Sequence, residues 1–113
     1  MSKPDLTTHL PLPNLPLHVL LVLAEGELHG WAIIKRIESM SAGAHSPSSG
    51  SLYLAMARLE EKGLISDAPA PDEETDTRRR YYTLTPTGRQ VLALEVDRLE
   101  GLVRHARKLG VPG

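Results

Sequence analysis

The apolar positions of the chain fall into helical blocks first, then two short alternating runs, then one long helical block. Leu17, Val19, Leu20, Leu21, Leu23 and Ala24 are apolar almost all round a helix, which predicts a first helix buried on most sides. Asn14 is the expected N-cap, Pro16 fits the first turn, and Gly26 ends the helix. A second helix is predicted from about Gly30 to Met40. Ile33, Ile34, Ile37 and Met40 form its apolar face, and Lys35, Arg36, Glu38 and Ser39 point outward. The Ser-, Gly- and Pro-rich stretch 41–51 reads as a turn.

A third helix is predicted from about Ser49 to Lys62, with Ser48 as N-cap and Gly63 as stop. Leu52, Ala55, Met56 and Leu59 cluster on its inner side. Its outer side carries Gly50, Tyr53, Leu54, Ala57, Arg58 and Glu61, where a solvent-facing helix usually carries Lys and Glu. Leu64–Ala68 reads as a short strand, and Arg78–Leu84 alternates as a second, so the pair forms a hairpin. The connecting loop, opened by Pro69 and Pro71, is long for a hairpin. Thr85-Pro86 then opens a helix running to about Leu109. Leu92, Val96, Leu99, Val103 and Ala106 repeat at heptad spacing along it, widened by Leu102 and Leu109. So long an apolar seam exceeds what a small body needs, and its natural partner is a second copy of the chain.

The expected fold class is mainly α with a small β-hairpin: a winged helix-turn-helix with a long C-terminal dimerisation helix. Residues 1–14, with Pro4, Pro11 and Pro13, are expected as an extended arm whose leucines dock elsewhere. Residues 15–85 are expected to form a winged-helix DNA-binding domain, and residues 86–113 a dimerisation helix.

Composition sharpens this picture. The 113 residues fit one domain, and there is no cysteine, which excludes disulfides and thiolate metal sites. The apolar run Val19–Ala24 is far short of the roughly 20 residues that span a bilayer. No secretory signal is legible, so a cytoplasmic protein without membrane partners is expected. The net charge of −1 hides a local polarity. Asp67, Asp72, Glu73, Glu74 and Asp76 sit immediately before Arg78, Arg79, Arg80 and Arg89. The two blocks read either as a self-cancelling hairpin or as a cationic strand with an acidic tip.

In a winged helix the third helix enters the major groove and the wing touches flanking backbone. Ser48, Ser49, Gly50 and Ser51 then keep side chains small where N–H groups approach phosphate. Tyr53 offers a hydroxyl to phosphate, and Leu54 with Ala57 faces thymine methyls. Arg58 reaches a guanine edge or pairs with Glu60 or Glu61. Arg78, Arg79 and Arg80 contact backbone, with Lys35 and Lys62 as lesser candidates.

Trp31 is expected as a packing residue. The five histidines (His9, His18, His29, His45 and His105) show no ligand spacing and read as surface or capping residues, so no metal or other cofactor is expected. No nucleophile elbow, phosphate-binding glycine loop or zinc-protease motif is present, which argues against an enzyme.

The residues carrying this reading also match a family. His29-Gly30-Trp31-Ala32-Ile33-Ile34, Gly50-Ser51-Leu52-Tyr53, Arg58–Ile65, Arg78–Thr85 and Gly88-Arg89 occur in the order and spacing of PadR-type regulators. Over about residues 15–100 the chain resembles the short-tailed group with a single C-terminal helix. The resemblance implies a homodimeric repressor that binds a palindromic operator in double-stranded DNA and releases it on binding a small-molecule effector. Where the family usually has Pro after the third-helix Tyr, this chain has Leu54. No aromatic residue follows Tyr82, so the terminal helix lacks the Trp that short-tailed relatives use to stack flat drugs. A second reading is a winged-helix protein-interaction module that does not bind DNA.

Overall fold

Pro13, not Asn14, occupies the cap of the first helix in the computed structural model, which describes residues 5–112. α1 spans Asn14–Leu23, and no side chain caps it. The expectation that Asn14 caps this helix is therefore corrected: Asn14 is already the first helical residue. Its carbonyl accepts from the His18 ring, whose Nδ1 lies 2.7 Å from that oxygen.

β1 (Leu28–His29) leads directly into α2 (Gly30–Met40), whose N-cap is His29, with Nδ1 accepting from the Ala32 N–H at 3.2 Å. α3 (Ser49–Glu61) is capped as expected, the Ser48 hydroxyl accepting from the Ser51 N–H at 3.1 Å. Gly63 ends α3 at φ +75°, a conformation that favours glycine. There the Leu64 N–H reaches the Leu59 carbonyl and the Gly63 N–H the Glu60 carbonyl, both at 2.9 Å. β2 (Ile65–Ala68) and β3 (Tyr81–Leu84) follow, and α4 (Pro86–Lys108) closes the chain. The sheet is antiparallel in the order β1-β3-β2.

Two strand expectations change. The hairpin is a three-stranded sheet, because Leu28 and His29 pair with Tyr82 and Tyr81. Arg78, Arg79 and Arg80 lie before β3 rather than in it. Pairing stops at Ala68 with Tyr81, since Pro69 has no N–H to continue the ladder and β1 ends where α2 begins.

The core lies between α1, α2, α3 and the first half of α4. Val19, Leu20, Val22, Ile33, Ile37, Leu52, Met56, Leu64 and Val91 are fully or almost fully buried. Each large aliphatic side chain so buried is worth about 1.5–3 kcal/mol against exposure. α4 is locked to the α3–β2 corner through its cap. The Thr85 hydroxyl donates to the Gly63 carbonyl at 2.7 Å and accepts from the Gly88 N–H at 2.9 Å.

The arm is not simply extended. Leu6–His9 form a 3-10 turn that packs on α4, while Leu6, Leu10 and Leu12 add to the rim of the core. Glu95 of α4 is fully buried, and its Oε2 accepts from the Leu12 N–H at 2.6 Å while Arg98 pairs with the same carboxylate. That neutralises a charge that would otherwise be costly to bury. The part of the arm before residue 5 lies outside the described residues.

Beyond Glu95 no residue of α4 is buried. Val96, Leu102, Val103 and Leu109 are exposed, whereas Leu92, expected in the seam, is buried by its own protomer's core. No helix among the described residues is long and apolar enough to cross a membrane.

Candidate nucleic-acid interface

α3 buries Leu52, Ala55, Met56 and Leu59 and thereby turns Gly50, Tyr53, Leu54, Ala57, Arg58 and Glu61 outward. Tyr53 and Leu54 are each more than half exposed. Ser48, Ser49, Gly50 and Ser51 stand exposed at the N-terminus of the helix. Ser48 is spent on capping and on a 3.0 Å hydrogen bond to the Ser51 hydroxyl. Among the described residues Arg58 and Lys62 have no ion-pair partner; Glu60 pairs with Arg80 instead.

Tyr53, Arg78, Arg79 and Arg80 meet around a groove of about 550 Å³ together with His29, Gly30, Trp31, Asp76 and Tyr82. Ser51, Leu54, Arg58 and Lys62 line a separate cavity on the other side of α3. Lys35 joins neither lining; its Nζ lies 3.6 Å from Glu38 and 5.4 Å from the centre of the Trp31 ring.

Trp31 is 60% exposed, which corrects its expected role as a packing residue. Its ring lies stacked beside His29, with centroids 6.4 Å apart. Periodicity carried the signal: Ile33 and Ile37 define the buried face of α2, and Trp31 stands about 200° from Ile33. An exposed Trp lining one groove with Tyr53 and three arginines is a placement that residue-type reasoning missed.

Every wing arginine is internally paired. Arg78 pairs with Asp76 at 3.2 Å, Arg79 with Glu74 at 3.2 Å, and Arg80 with Glu60 at 2.9 Å and with Asp67. Arg80 also stands over the Tyr82 ring, 5.0 Å from its centre. These contacts shift the partners. The Arg80 hydrogen bond holds the Asp67 carboxyl below its ordinary range, and the Arg78 hydrogen bonds do the same for Asp76. Glu74 is lowered chiefly by the Tyr81 hydroxyl, which donates to it at 2.8 Å. His29 is lowered by desolvation and then by the Arg79 charge. The wing is thus a cation cluster held by carboxylates, which a polyanion would have to displace.

No group of His, Asp or Glu side chains that could hold a metal exists among the described residues.

The model of the transcriptional regulator PadR-like family matches residues 19–94. A transcriptional regulator of Mycobacterium tuberculosis, Rv3488, is 36% identical over 91 residues, covering 79% of this chain and 78% of its own length. The transcriptional regulator YqjI of Escherichia coli is 30% identical over 87 residues, 77% of this chain and 40% of its own length. An uncharacterised 37.1 kDa protein of a Streptomyces fradiae transposon is 43% identical over 94 residues, 83% of this chain. The match spans a quarter of that protein. Among solved structures, a transcriptional regulator from Clostridium thermocellum superposes with a TM-score of 0.68 at 29% identity, covering 82% of this chain and 89% of its own. A PadR family regulator from Clostridium difficile shares the fold with a TM-score of 0.72 at 22% identity, covering 86% and 98%.

Proposed function

The chain belongs to the PadR-like family of transcriptional regulators, and from that premise we propose that it is a homodimeric repressor of a palindromic operator, released by a small-molecule effector. The observation that carries the reading is the outer face of α3. It presents Tyr53, Leu54 and an unpaired Arg58 beside an N-terminus of small residues, all exposed and none needed by the core.

Residues 15–85 serve as the DNA-binding unit. α3 enters the major groove with Leu54 and Arg58 at base edges and Ser49, Gly50, Ser51 and Tyr53 at phosphates. Arg78, Arg79 and Arg80 exchange their carboxylates for phosphates on the flank, with Lys35 and Lys62 as outer cations. The arm over residues 5–14 braces the body. The terminal helix, 86–113, joins two copies through Val96, Leu99, Leu102, Val103 and Ala106. It spans 23 helical residues, about 34 Å of rise. An effector acts by favouring a dimer geometry whose two α3 helices no longer match successive major grooves. The work is done in the cytoplasm, on double-stranded DNA.

Hydroxyl-radical footprinting on the DNA upstream of its own gene tests this reading. Two protected patches about one helical turn, roughly 34 Å, apart are expected. A single patch, or none, overturns the dimeric docking. One observation favours the second reading, a protein-interaction module without DNA binding: all three wing arginines are already paired inside the chain.

A further inference from the structure

The cavity on the other side of α3 holds about 300 Å³, at the small end for ligand sites. Leu12, Pro13, Leu15 and Pro16 form one wall, and Leu54, Ala55, Leu59 and Leu64 form the opposite wall and floor. Arg58 and Lys62 also line it, with His9 and Ser51, and among the described residues no carboxylate does. We propose that this cavity is a binding site for a small amphipathic organic anion, its apolar tail between the arm and α3 and its single anionic headgroup on Arg58 and Lys62.

Three features carry the assignment. The lining is mostly apolar and carries two cations four positions apart in the chain, which complements a tail with one negative head. Among the described residues Arg58 of α3 and Lys62 at its C-cap have no internal partner, in contrast to Arg80, whose charge Glu60 and Asp67 already absorb. A guanidinium also matches a carboxylate in bidentate geometry. Finally, the arm wall is fixed in place, since the Leu12 N–H is held by the buried Glu95 of α4 at 2.6 Å. A ligand therefore meets a formed cavity and loses little affinity to ordering its walls.

The regulatory consequence rests on the DNA-binding reading above. A bound anion occupies Arg58 and covers Leu54, two side chains of the proposed base-reading face, so ligand and operator exclude each other. The binding itself does not depend on that reading.

The test is nuclear magnetic resonance titration of the full chain, without DNA, using butanoate, hexanoate and octanoate, with 1-octanol as the uncharged control. Saturable shifts are expected at Leu12, Leu15, Leu54, Arg58 and Lys62. Affinity should rise about fourfold per added buried methylene until the cavity is full, and 1-octanol should bind at least about tenfold more weakly than octanoate, as the loss of a charge-assisted contact implies. The double substitution R58A/K62A, at two exposed positions, should erase the preference for octanoate over 1-octanol while leaving the alcohol's affinity unchanged. No saturable shift with any of the three carboxylates overturns the proposal. So do equal affinities for acid and alcohol, and so do shifts centred on the exposed stripe of α4. Shifts at the cavity that appear only with rising protein concentration would mean that a second copy of the chain covers it, which also overturns the assignment. Carboxylate binding together with a failed footprint leaves the cavity standing and sinks the repressor reading. The reverse result sinks the cavity alone.

Discussion

A Cβ placed on Gly30 would stand 2.6 Å from the Tyr53 hydroxyl oxygen, so the bare first residue of α2 makes room for the ring that α3 turns outward. The obstacle to a side chain there is the far end of a half-exposed tyrosine, which can move, and not backbone. Gly30→Ala should therefore displace the Tyr53 hydroxyl while keeping the fold. Operator affinity should fall about fivefold, the scale of one hydrogen bond of roughly 1 kcal/mol. Gly30 is buried beside the His29 cap, but its obstacle is a movable side-chain end and Ala is the better helix former, so unfolding free energy should stay within about 1 kcal/mol of the parent. Tyr53→Phe should lose the same affinity without moving the ring. Fluorescence anisotropy on operator DNA reads both.

Gly88 is the opposite case. A Cβ there would lie 2.0 Å from the Leu64 carbonyl oxygen, a backbone atom at the corner that Thr85 clamps. Nothing flexible can give way, so Gly88→Ala must part α4 from the α3–β2 turn. A loss of about 2 kcal/mol or more is expected, in the upper range for overpacking. Urea denaturation measures it, and an unchanged midpoint would contradict the packing described.

Wing pairing sets the electrostatics of binding. Glu74→Gln with Asp76→Asn should free Arg79 and Arg78, raise DNA affinity on every sequence, and steepen the slope of log affinity against log salt by about one unit per arginine newly engaged. Arg80→Ala should weaken binding on all sequences and flatten that slope, whereas Arg58→Ala should alter preference at one base position. Affinity measured over a salt series on operator and scrambled DNA separates these outcomes.

Glu95 makes stability depend on pH. The Arg98 hydrogen bond, aided by the Leu12 N–H, holds its carboxyl below the ordinary range. A carboxyl lowered in the folded state contributes stability that is fully present above its unfolded value, about 4.3, and lost as pH falls through its folded value. Acidification below about pH 4.3 should thus destabilise the parent more steeply than Glu95→Gln, which keeps an acceptor for Leu12 but has no proton to take up. Glu95→Ala leaves the Leu12 N–H without its partner and should cost about 1–3 kcal/mol at neutral pH. Chemical denaturation at a series of pH values checks the sign.

The helices were legible because each repeats its apolar face over several turns; Leu52, Ala55, Met56 and Leu59 alone orient α3. Ser48, Gly63 and Thr85 marked their ends through chemistry that is local to the chain. The two-residue β1 has no period to read. Arg78–Arg80 imitated the alternation of a strand, while the real limit was set across the sheet by Pro69, just past the end of β2. Asn14 suits a cap in isolation, yet the helix begins one residue earlier, behind Pro13. At the site, the sequence marked Tyr53, Leu54 and Arg58 as facing outward but could not show that α3 divides them. Tyr53 faces the wing groove, and Leu54 and Arg58 face the arm cavity. That division depends on where the arm docks, and the arm is placed by Leu12 and Glu95, 83 positions apart in the chain.

The central claim is that a domain of net charge −1 binds DNA through α3 and a wing whose cations it first neutralises itself. Anisotropy titration on the DNA upstream of its own gene, at low and at physiological salt, tests it most directly. Sequence-specific binding is expected at both, with a shallower salt dependence than a strongly basic domain of this size would show. Absence of binding at either salt concentration would contradict it.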